Sequence, residues 1–180
     1  MLRSWLATAI PALVFATLPG PVSAQTPPAR SDIERVVRRY YAKVANEADQ
    51  AKAAAVVDQL LSKDFFFTFG NWDEPSRGIE SHKLFLAWHH RAAADQVWTI
   101  ENLVIDNDSA VVRFRLKLIS ADAFHGIPAT GKPVATRGID FFRVSAGRII
   151  ELYRVFDVRD YIRQLGVSCP PEPPTATPRP

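Results

Sequence analysis

The stretch at residues 126–166, GIPATGKPVATRGIDFFRVSAGRIIELYRVFDVRDYIRQLG, restricts the fold more than any other part of the chain. Residues 134–144 and 148–156 are rich in β-branched and aromatic side chains, which is typical of strands. The residues between them end in Gly147 and predict a hairpin turn, and residues 159–165 predict a short helix or turn. Asp140 lies in the first strand and Asp157 follows the second, so two carboxylates stand among apolar residues. We therefore expect the chemistry of the protein to depend on this stretch.

Helical patterns precede this stretch, and most of the strand patterns come after them. Ser31 and Glu34 have the spacing of a capping box, and apolar residues then recur at helical spacing as far as Val44. Residues 110–119 alternate apolar and basic side chains, which indicates a strand with one buried and one wet face. The other predicted elements are helices at residues 48–61 and 79–91, strands at 65–69 and 97–105, and loops at 71–78 and 121–132.

The order of these elements indicates the fold class. Helices and one strand come first, and four strands then follow in succession with short connections, which favours an α+β fold over a parallel α/β sheet. Helices packed on one face of a curved antiparallel sheet would form a cone with an apolar interior. Such an interior, with a few polar groups pointing into it, is a common form of small-ligand pocket.

Both ends of the chain predict segments outside the folded domain. The first residues combine Arg3, an apolar run and the small-residue pattern Val22-Ser23-Ala24, which is typical of a cleaved secretory signal peptide; an uncleaved anchor is the alternative. We expect a periplasmic or secreted protein that has no membrane contact after cleavage. The predicted divisions are a signal peptide at residues 1–24, a linker at 25–30, one domain at 31–168 and a disordered proline-rich tail at 169–180.

Composition and motifs argue against several classes of function. The net charge of +3 is mild and no basic cluster interleaves with aromatic residues, so nucleic-acid binding is not expected. The single cysteine, Cys169, cannot form an internal disulfide. His82, His89 and His90 lie in one predicted helix but lack the spacing of metal ligands, so no metal is expected. The chain has no phosphate-binding loop and no dinucleotide fingerprint, and we expect no cofactor.

Residues 126–166 resemble the C-terminal region of the SnoaL-like polyketide cyclases, which belong to the nuclear transport factor 2-like superfamily. Tyr153 stands where the family usually has Trp. The resemblance implies a nuclear transport factor 2-like cone, in which a curved mixed or antiparallel sheet carries the N-terminal helices on its concave face. The matching residues are Gly126, Thr130, Gly131 and Lys132; Gly138, Asp140, Phe142 and Arg143; Gly147, Arg148, Ile149 and Glu151; Asp157; and Gln164, Leu165 and Gly166.

The ketosteroid isomerases share this fold, and part of their site also resembles this chain. Tyr40 falls on the tyrosine of their oxyanion hole, and Asp140 falls on their protonated aspartic acid. Their base aspartate corresponds to Phe69, and a phenylalanine side chain cannot accept a proton. The resemblance therefore argues against steroid isomerisation by that route.

By resemblance to the polyketide cyclases, Asp157 is the expected general acid and base. Their intramolecular aldol closure removes a proton next to a carbonyl and returns it to the new alkoxide, without a metal. A carboxylate can do this only where apolar surroundings favour its protonated form, and Val155, Phe156 and Val158 would supply them. The alternative is that Asp157 caps the helix that follows it.

Further site residues are predicted around these carboxylates. Asp140 would be a neutral donor or the partner of a buried Arg137 or Arg154, and the alternative is a salt bridge without a catalytic role. His125, at the expected mouth of the pocket, would polarise a carbonyl or transfer a proton, or it is an exposed loop residue. The predicted substrate-binding residues are Tyr40, Phe69, Trp88, Phe142 and Tyr153, with core packing as the alternative for Tyr40, Phe69 and Trp88.

Two functions of different classes remain open from the sequence. One is a cofactor-independent cyclase or isomerase that acts on a small apolar carbonyl compound with Asp157 as acid and base. The other is a non-catalytic periplasmic module for small-ligand binding or assembly, which a secretory signal favours. The apolar strands also permit a homodimer across the open face of the sheet.

Overall fold

The structure, a computed structural model, describes residues 28–70, 75–124 and 126–167. The predicted signal peptide, the proline-rich tail and His125 lie outside these residues. Its helices are α1 at Arg30–Tyr40, which continues as a π-helical turn at Tyr41–Ala45, α2 at Gln50–Leu60, α3 at Ile79–Ala92 and α4 at Val158–Leu165. Its strands are β1 at Leu61–Phe69, β2 at Ser76–Arg77, β3 at Ala93–Asp106, β4 at Ser109–Ser120, β5 at Pro133–Ser145 and β6 at Arg148–Phe156.

The strands form one mixed sheet, which confirms the predicted α+β class. Six strands lie in the order β2-β1-β6-β5-β4-β3. Neighbours are antiparallel except for β1 and β6, which are parallel. The last strand of the chain therefore lies inside the sheet, between the first long strand and the β3–β5 meander.

Helix α1 covers the inner face of the sheet with the apolar stripe that the sequence predicts. Ile33, Val37 and Tyr40 are fully buried. The predicted capping box is wrong, because α1 begins earlier, at Arg30, and its N-cap is Ala29 without a side-chain hydrogen bond. Arg30 thus belongs to the helix and not to a linker.

Long-range pairing explains where the predicted boundaries of β1 and β2 differ from the structure. Strand β1 starts at Leu61, in the predicted second helix, because Leu61 pairs with Ile149 of β6. Strand β2 lies in the predicted loop at residues 71–78 and pairs with β1 at Phe66 and Phe67. Neither pairing leaves a local signal in the sequence.

A β-bulge in β6 decides which of its side chains point into the protein. Val144 pairs with Ile149, but Arg143 pairs with Glu151, so Ile150 is an extra residue on β6. Beyond the bulge, Leu152 and Arg154 are buried and Tyr153 is exposed. Without the extra residue, the pleat would turn Tyr153 inward and Arg154 outward.

The inner face of the sheet and the helices enclose one large apolar core. Strand β4 buries alternate residues, as predicted, and Val112 and Phe114 are fully covered. The outer face of the sheet carries arginines and exposed apolar side chains such as Val104 and Ile139. Within the described residues, no helix is long and apolar enough to cross a lipid bilayer.

Candidate functional site

An aromatic cavity opens between the inner face of the sheet and helices α3 and α4. The space between its walls is about 380 Å³, and this figure includes open solvent at the mouth. Strand alternation brings Phe114, Leu116 and Leu118 of β4 to its floor, and β1 and β6 contribute one phenylalanine each. Its aromatic lining consists of Phe69, Trp98, Phe114, Phe124, Phe156 and Tyr161. Its predominantly apolar lining suits an apolar ligand.

Few polar side chains border this cavity, and they come from different elements. His89 of α3, Thr136 of β5 and Arg154 of β6 line it together with the phenol of Tyr161 from α4. All four residues are buried, with Arg154 only 3% exposed. Burial raises the pKa of Tyr161, so its phenol stays protonated at neutral pH.

Asp140, behind the cavity wall, forms a buried ion pair with Arg154, which lines the cavity. Because β5 and β6 are paired beyond the bulge, Asp140 lies directly opposite Arg154. Arg154 Nε donates to Asp140 Oδ1 at 2.7 Å, and Nη2 donates to Oδ2 at 2.6 Å. Tyr41 Oη also donates to Oδ2, at 2.6 Å. Both oxygens of Asp140 thus act as acceptors, which leaves this carboxyl no role as a neutral hydrogen-bond donor.

The ion pair keeps Arg154 charged and the neighbouring Tyr41 protonated. Burial opposes the charged form of Arg154, but the adjacent Asp140 carboxylate outweighs it and raises the pKa of the guanidinium. Burial and the Asp140 charge together raise the pKa of Tyr41 well above its usual value. Arg154 is therefore a permanent cation and Tyr41 a permanent donor at the back of the cavity.

Tyr40 and His82 form a second buried polar pair in the core. Tyr40 Oη lies 3.0 Å from His82 Nε2. The imidazole is surrounded by aromatic rings, with the ring centroid of Phe65 at 5.0 Å and that of Phe67 at 5.3 Å. Among the described residues, His82 Nδ1 has no hydrogen-bond partner. Burial, with a smaller contribution from the Arg154 charge, lowers the pKa of His82 from 6.5 to about 3.

Asp157 is exposed and acts as the N-cap of α4. Its Oδ1 accepts a hydrogen bond from the backbone N–H of Asp160 at 2.9 Å. Its own backbone N–H donates to Arg137 O at 3.0 Å, which fixes the chain as it leaves β6. The structure therefore shows the helix-cap role that was the alternative for this residue. Neither Asp157 nor Asp140 lines the aromatic cavity.

The other predicted site residues occupy different places. Phe69 lines the cavity. Trp88 stacks on the cavity residue Phe124, with ring centroids 4.9 Å apart, and thus supports the wall from behind. Phe142 is fully buried against Tyr40, at a centroid distance of 5.6 Å. Tyr153 points to the outer face because of the bulge in β6 and does not reach the cavity.

The sequence reasoning missed most of the polar residues of the cavity. In the sequence, His89 bears only on a metal site that its spacing does not support, and Arg154 only on a salt bridge with Asp140. Thr136 had a usable signal, because it lies on the same face of β5 as Asp140, two pleats away. Tyr161 had none, since its position depends on how α4 docks against the sheet. Within the described residues, no three His, Cys, Asp or Glu side chains cluster as a metal site requires.

Comparison with known proteins identifies the family and the fold. The family model described as SnoaL-like polyketide cyclase matches residues 35–165, which is more than half of the chain. No curated protein matches the chain significantly.

Solved structures with the same fold share little sequence identity with the chain. A candidate SnoaL-like polyketide cyclase from Jannaschia sp. CCS1 is 20% identical, with a TM-score of 0.68, over 83% of this chain and 100% of that one. TsrD from Streptomyces laurentii is 24% identical, with a TM-score of 0.65, over 78% of this chain and 98% of that one. An LEH-like epoxide hydrolase from M. tuberculosis is 18% identical, with a TM-score of 0.57, over 75% of this chain and 90% of that one. These similarities show the fold.

Proposed function

Since the chain belongs to the SnoaL-like polyketide cyclase family, we propose that it binds a small, largely apolar molecule in the aromatic cavity and does so without catalysis by Asp157. One observation carries this proposal. The cavity has aromatic walls and a few buried polar groups, whereas the carboxylates predicted as catalytic are a helix cap and one half of an ion pair. A pocket of this kind can bind and orient a ligand, but the described residues that line it include no carboxylate to transfer a proton.

Ligand titrations of the purified mature protein test the proposal. A panel of bicyclic aromatic and alicyclic compounds would be titrated by calorimetry and by the fluorescence of Trp98, which lines the cavity. Ala92→Leu would extend a side chain into the cavity, and Ala55→Leu is the matched control on an exposed helix position. We expect Ala92→Leu to weaken binding by tenfold or more and Ala55→Leu to leave it unchanged. Equal binding by both variants would show that the ligand binds elsewhere.

Cofactor-independent cyclisation or isomerisation of an apolar carbonyl compound is the second candidate. It is favoured by the position of Asp157 beside the cavity. Asp157 directly follows the cavity residue Phe156, and its backbone oxygen accepts a hydrogen bond from Oγ1 of the cavity residue Thr136 at 3.4 Å. A ligand that extends beyond the mouth would bring its α-carbon to this carboxylate. Asp157→Asn separates the two functions, because asparagine caps a helix as well as aspartate but cannot act as a base. Turnover of enolisable ketones that disappears in this variant, while binding persists, would establish the enzyme.

The proposal also places the mature protein outside the cytoplasm. It rests on the charged, apolar and small-residue pattern of residues 1–24. Expression of the full chain followed by intact-mass analysis of the periplasmic fraction would give a mature N-terminus at Gln25. A protein retained in the cytoplasm with Met1 would refute this part.

A homodimer through the outer face of the sheet completes the proposal. Val104 is 56% exposed, Ile139 44% and Tyr153 39%, which is unusual for the face of a sheet left in water. Ile139→Lys should convert a dimer to a monomer in sedimentation velocity. Lys117→Ala, on the neighbouring strand and the same face of the sheet, should leave the dimer intact. A wild-type protein that sediments as a monomer at high concentration would refute it.

A further inference from the structure

Arg154 borders the cavity while its charge is already balanced behind the wall. Its guanidinium lies over the Trp98 ring at 4.2 Å from the ring centroid and 5.5 Å from that of Phe114. Both rings line the cavity as well. Stacking and the ion pair to Asp140 together hold the guanidinium plane in one orientation.

The hydrogen bonds of Arg154 do not use all of its donors. A guanidinium carries five N–H hydrogens. Nε and one hydrogen of Nη2 are bound by Asp140, and the oxygen of Tyr40 lies close enough to interact with a further one. The remaining hydrogens have no acceptor among the described residues. Because Arg154 lines the cavity, these hydrogens can bind an acceptor carried by a molecule inside it, and a hydrogen bond from a charged donor is favourable.

Resting on the proposed function, we infer that Arg154 anchors the ligand by donating a hydrogen bond to a neutral carbonyl oxygen of an otherwise apolar molecule. A pure hydrocarbon would leave the guanidinium hydrogens without an acceptor. A carboxylate would satisfy them, but it would add a second anion next to Asp140 in a site that holds one cation. A ketone, aldehyde or quinone oxygen satisfies the donor and adds no charge, and the aromatic walls bind the rest of the molecule.

Matched small ligands test this inference on the wild-type protein. The probes are 1-tetralone, tetralin and 1-naphthoate, which have similar bicyclic frames and differ in their polar group. We expect calorimetry to show 1-tetralone binding about tenfold or more tightly than tetralin, as a hydrogen bond from a charged donor would give. We expect 1-naphthoate to bind more weakly than 1-tetralone. We expect the infrared carbonyl stretch of bound 1-tetralone to shift to lower frequency than in a hydrocarbon solvent.

A charge-free variant assigns the effect to Arg154. Arg154→Met with Asp140→Leu removes both charges at once, because deleting one alone would leave the other buried and unpaired. The matched control is Arg113→Met on the outer face, where the Arg113 side chain is 60% exposed. In the double variant, the ratio of the affinity for 1-tetralone to that for tetralin should fall to about one while tetralin still binds. In the Arg113→Met control, this ratio should stay at the wild-type value.

The outcomes separate this inference from the proposed function. Equal wild-type affinity for 1-tetralone and tetralin would overturn the inference and leave the binding function standing. A ketone preference that survives in the double variant would assign the anchor to another residue. If the double variant does not fold, an unshifted carbonyl stretch in the wild type overturns the inference. If no probe binds the wild type, the proposed function and the inference fall together.

Discussion

His82 should make the stability of this protein fall as the pH is lowered below neutrality. Its pKa is about 3 in the folded protein and 6.5 when the side chain is free in water. Between these values the unfolded chain binds a proton that the native protein cannot, so stability is complete above pH 6.5 and declines toward pH 3. At pH 5 the loss from this one residue is about 2 kcal/mol, since each pH unit corresponds to about 1.4 kcal/mol. That is a large part of the stability of an ordinary domain, roughly 5–15 kcal/mol.

Urea unfolding of the wild type and of His82→Leu at pH 7 and pH 5 measures this term. Other groups titrate equally in both proteins, so the wild type should lose about 2 kcal/mol more between the two pH values than the variant. His90→Leu is the control on the same helix. His90 is only half buried and burial lowers its pKa less. The wild type should therefore lose only slightly more unfolding free energy between pH 7 and pH 5 than His90→Leu does. Equal losses in the wild type and His82→Leu would refute the assignment of a neutral, buried imidazole.

Substitutions at three other positions test the packing and the polar network. Gly138→Ala should destabilise the protein by about 1–3 kcal/mol, because its Cβ would lie 2.3 Å from Val155 O and 2.4 Å from Phe114 Cζ; a thermal melt equal to the wild type would contradict this. Asp140→Ala should cost about 3–5 kcal/mol in chemical unfolding, because it leaves the Arg154 cation buried and unpaired; a loss below about 1 kcal/mol would mean that water solvates the guanidinium. Asp157→Ala should cost about 1 kcal/mol through loss of the α4 cap and Asp157→Asn almost nothing, and equal losses would mean that the cap is not the source of the effect.

The sequence predicts the elements whose order is local. The alternation in β4 and the turn that ends at Gly147 each depend on a short run of residues, and both agree with the structure. The boundaries of β1 do not, because Leu61 becomes a strand residue through a partner far along the chain. Local preference cannot report such a pairing.

One extra residue explains why the site was only partly predictable. A regular hairpin through the Gly147 turn would place Asp140 opposite Tyr153. The bulge at Ile150 shifts the pairing so that Asp140 meets Arg154 and Tyr153 leaves the interior. Bulges change the face of every residue beyond them, and they carry no strong sequence signal of their own. The position of Arg154 in the cavity lining therefore could not be predicted from the sequence.

The central position of β6 also governs when the protein can fold. Among the described strands, β1 has the two-residue β2 and the C-terminal β6 as neighbours, and Arg148 reaches the Leu61 carbonyl across 87 residues of chain. The part of the sheet formed by β2, β1 and β6 cannot close until nearly the whole domain has emerged from the ribosome. Contacts so distant in sequence form slowly. The edge of the sheet that holds β1 can therefore form only after the last strand of the domain has been made.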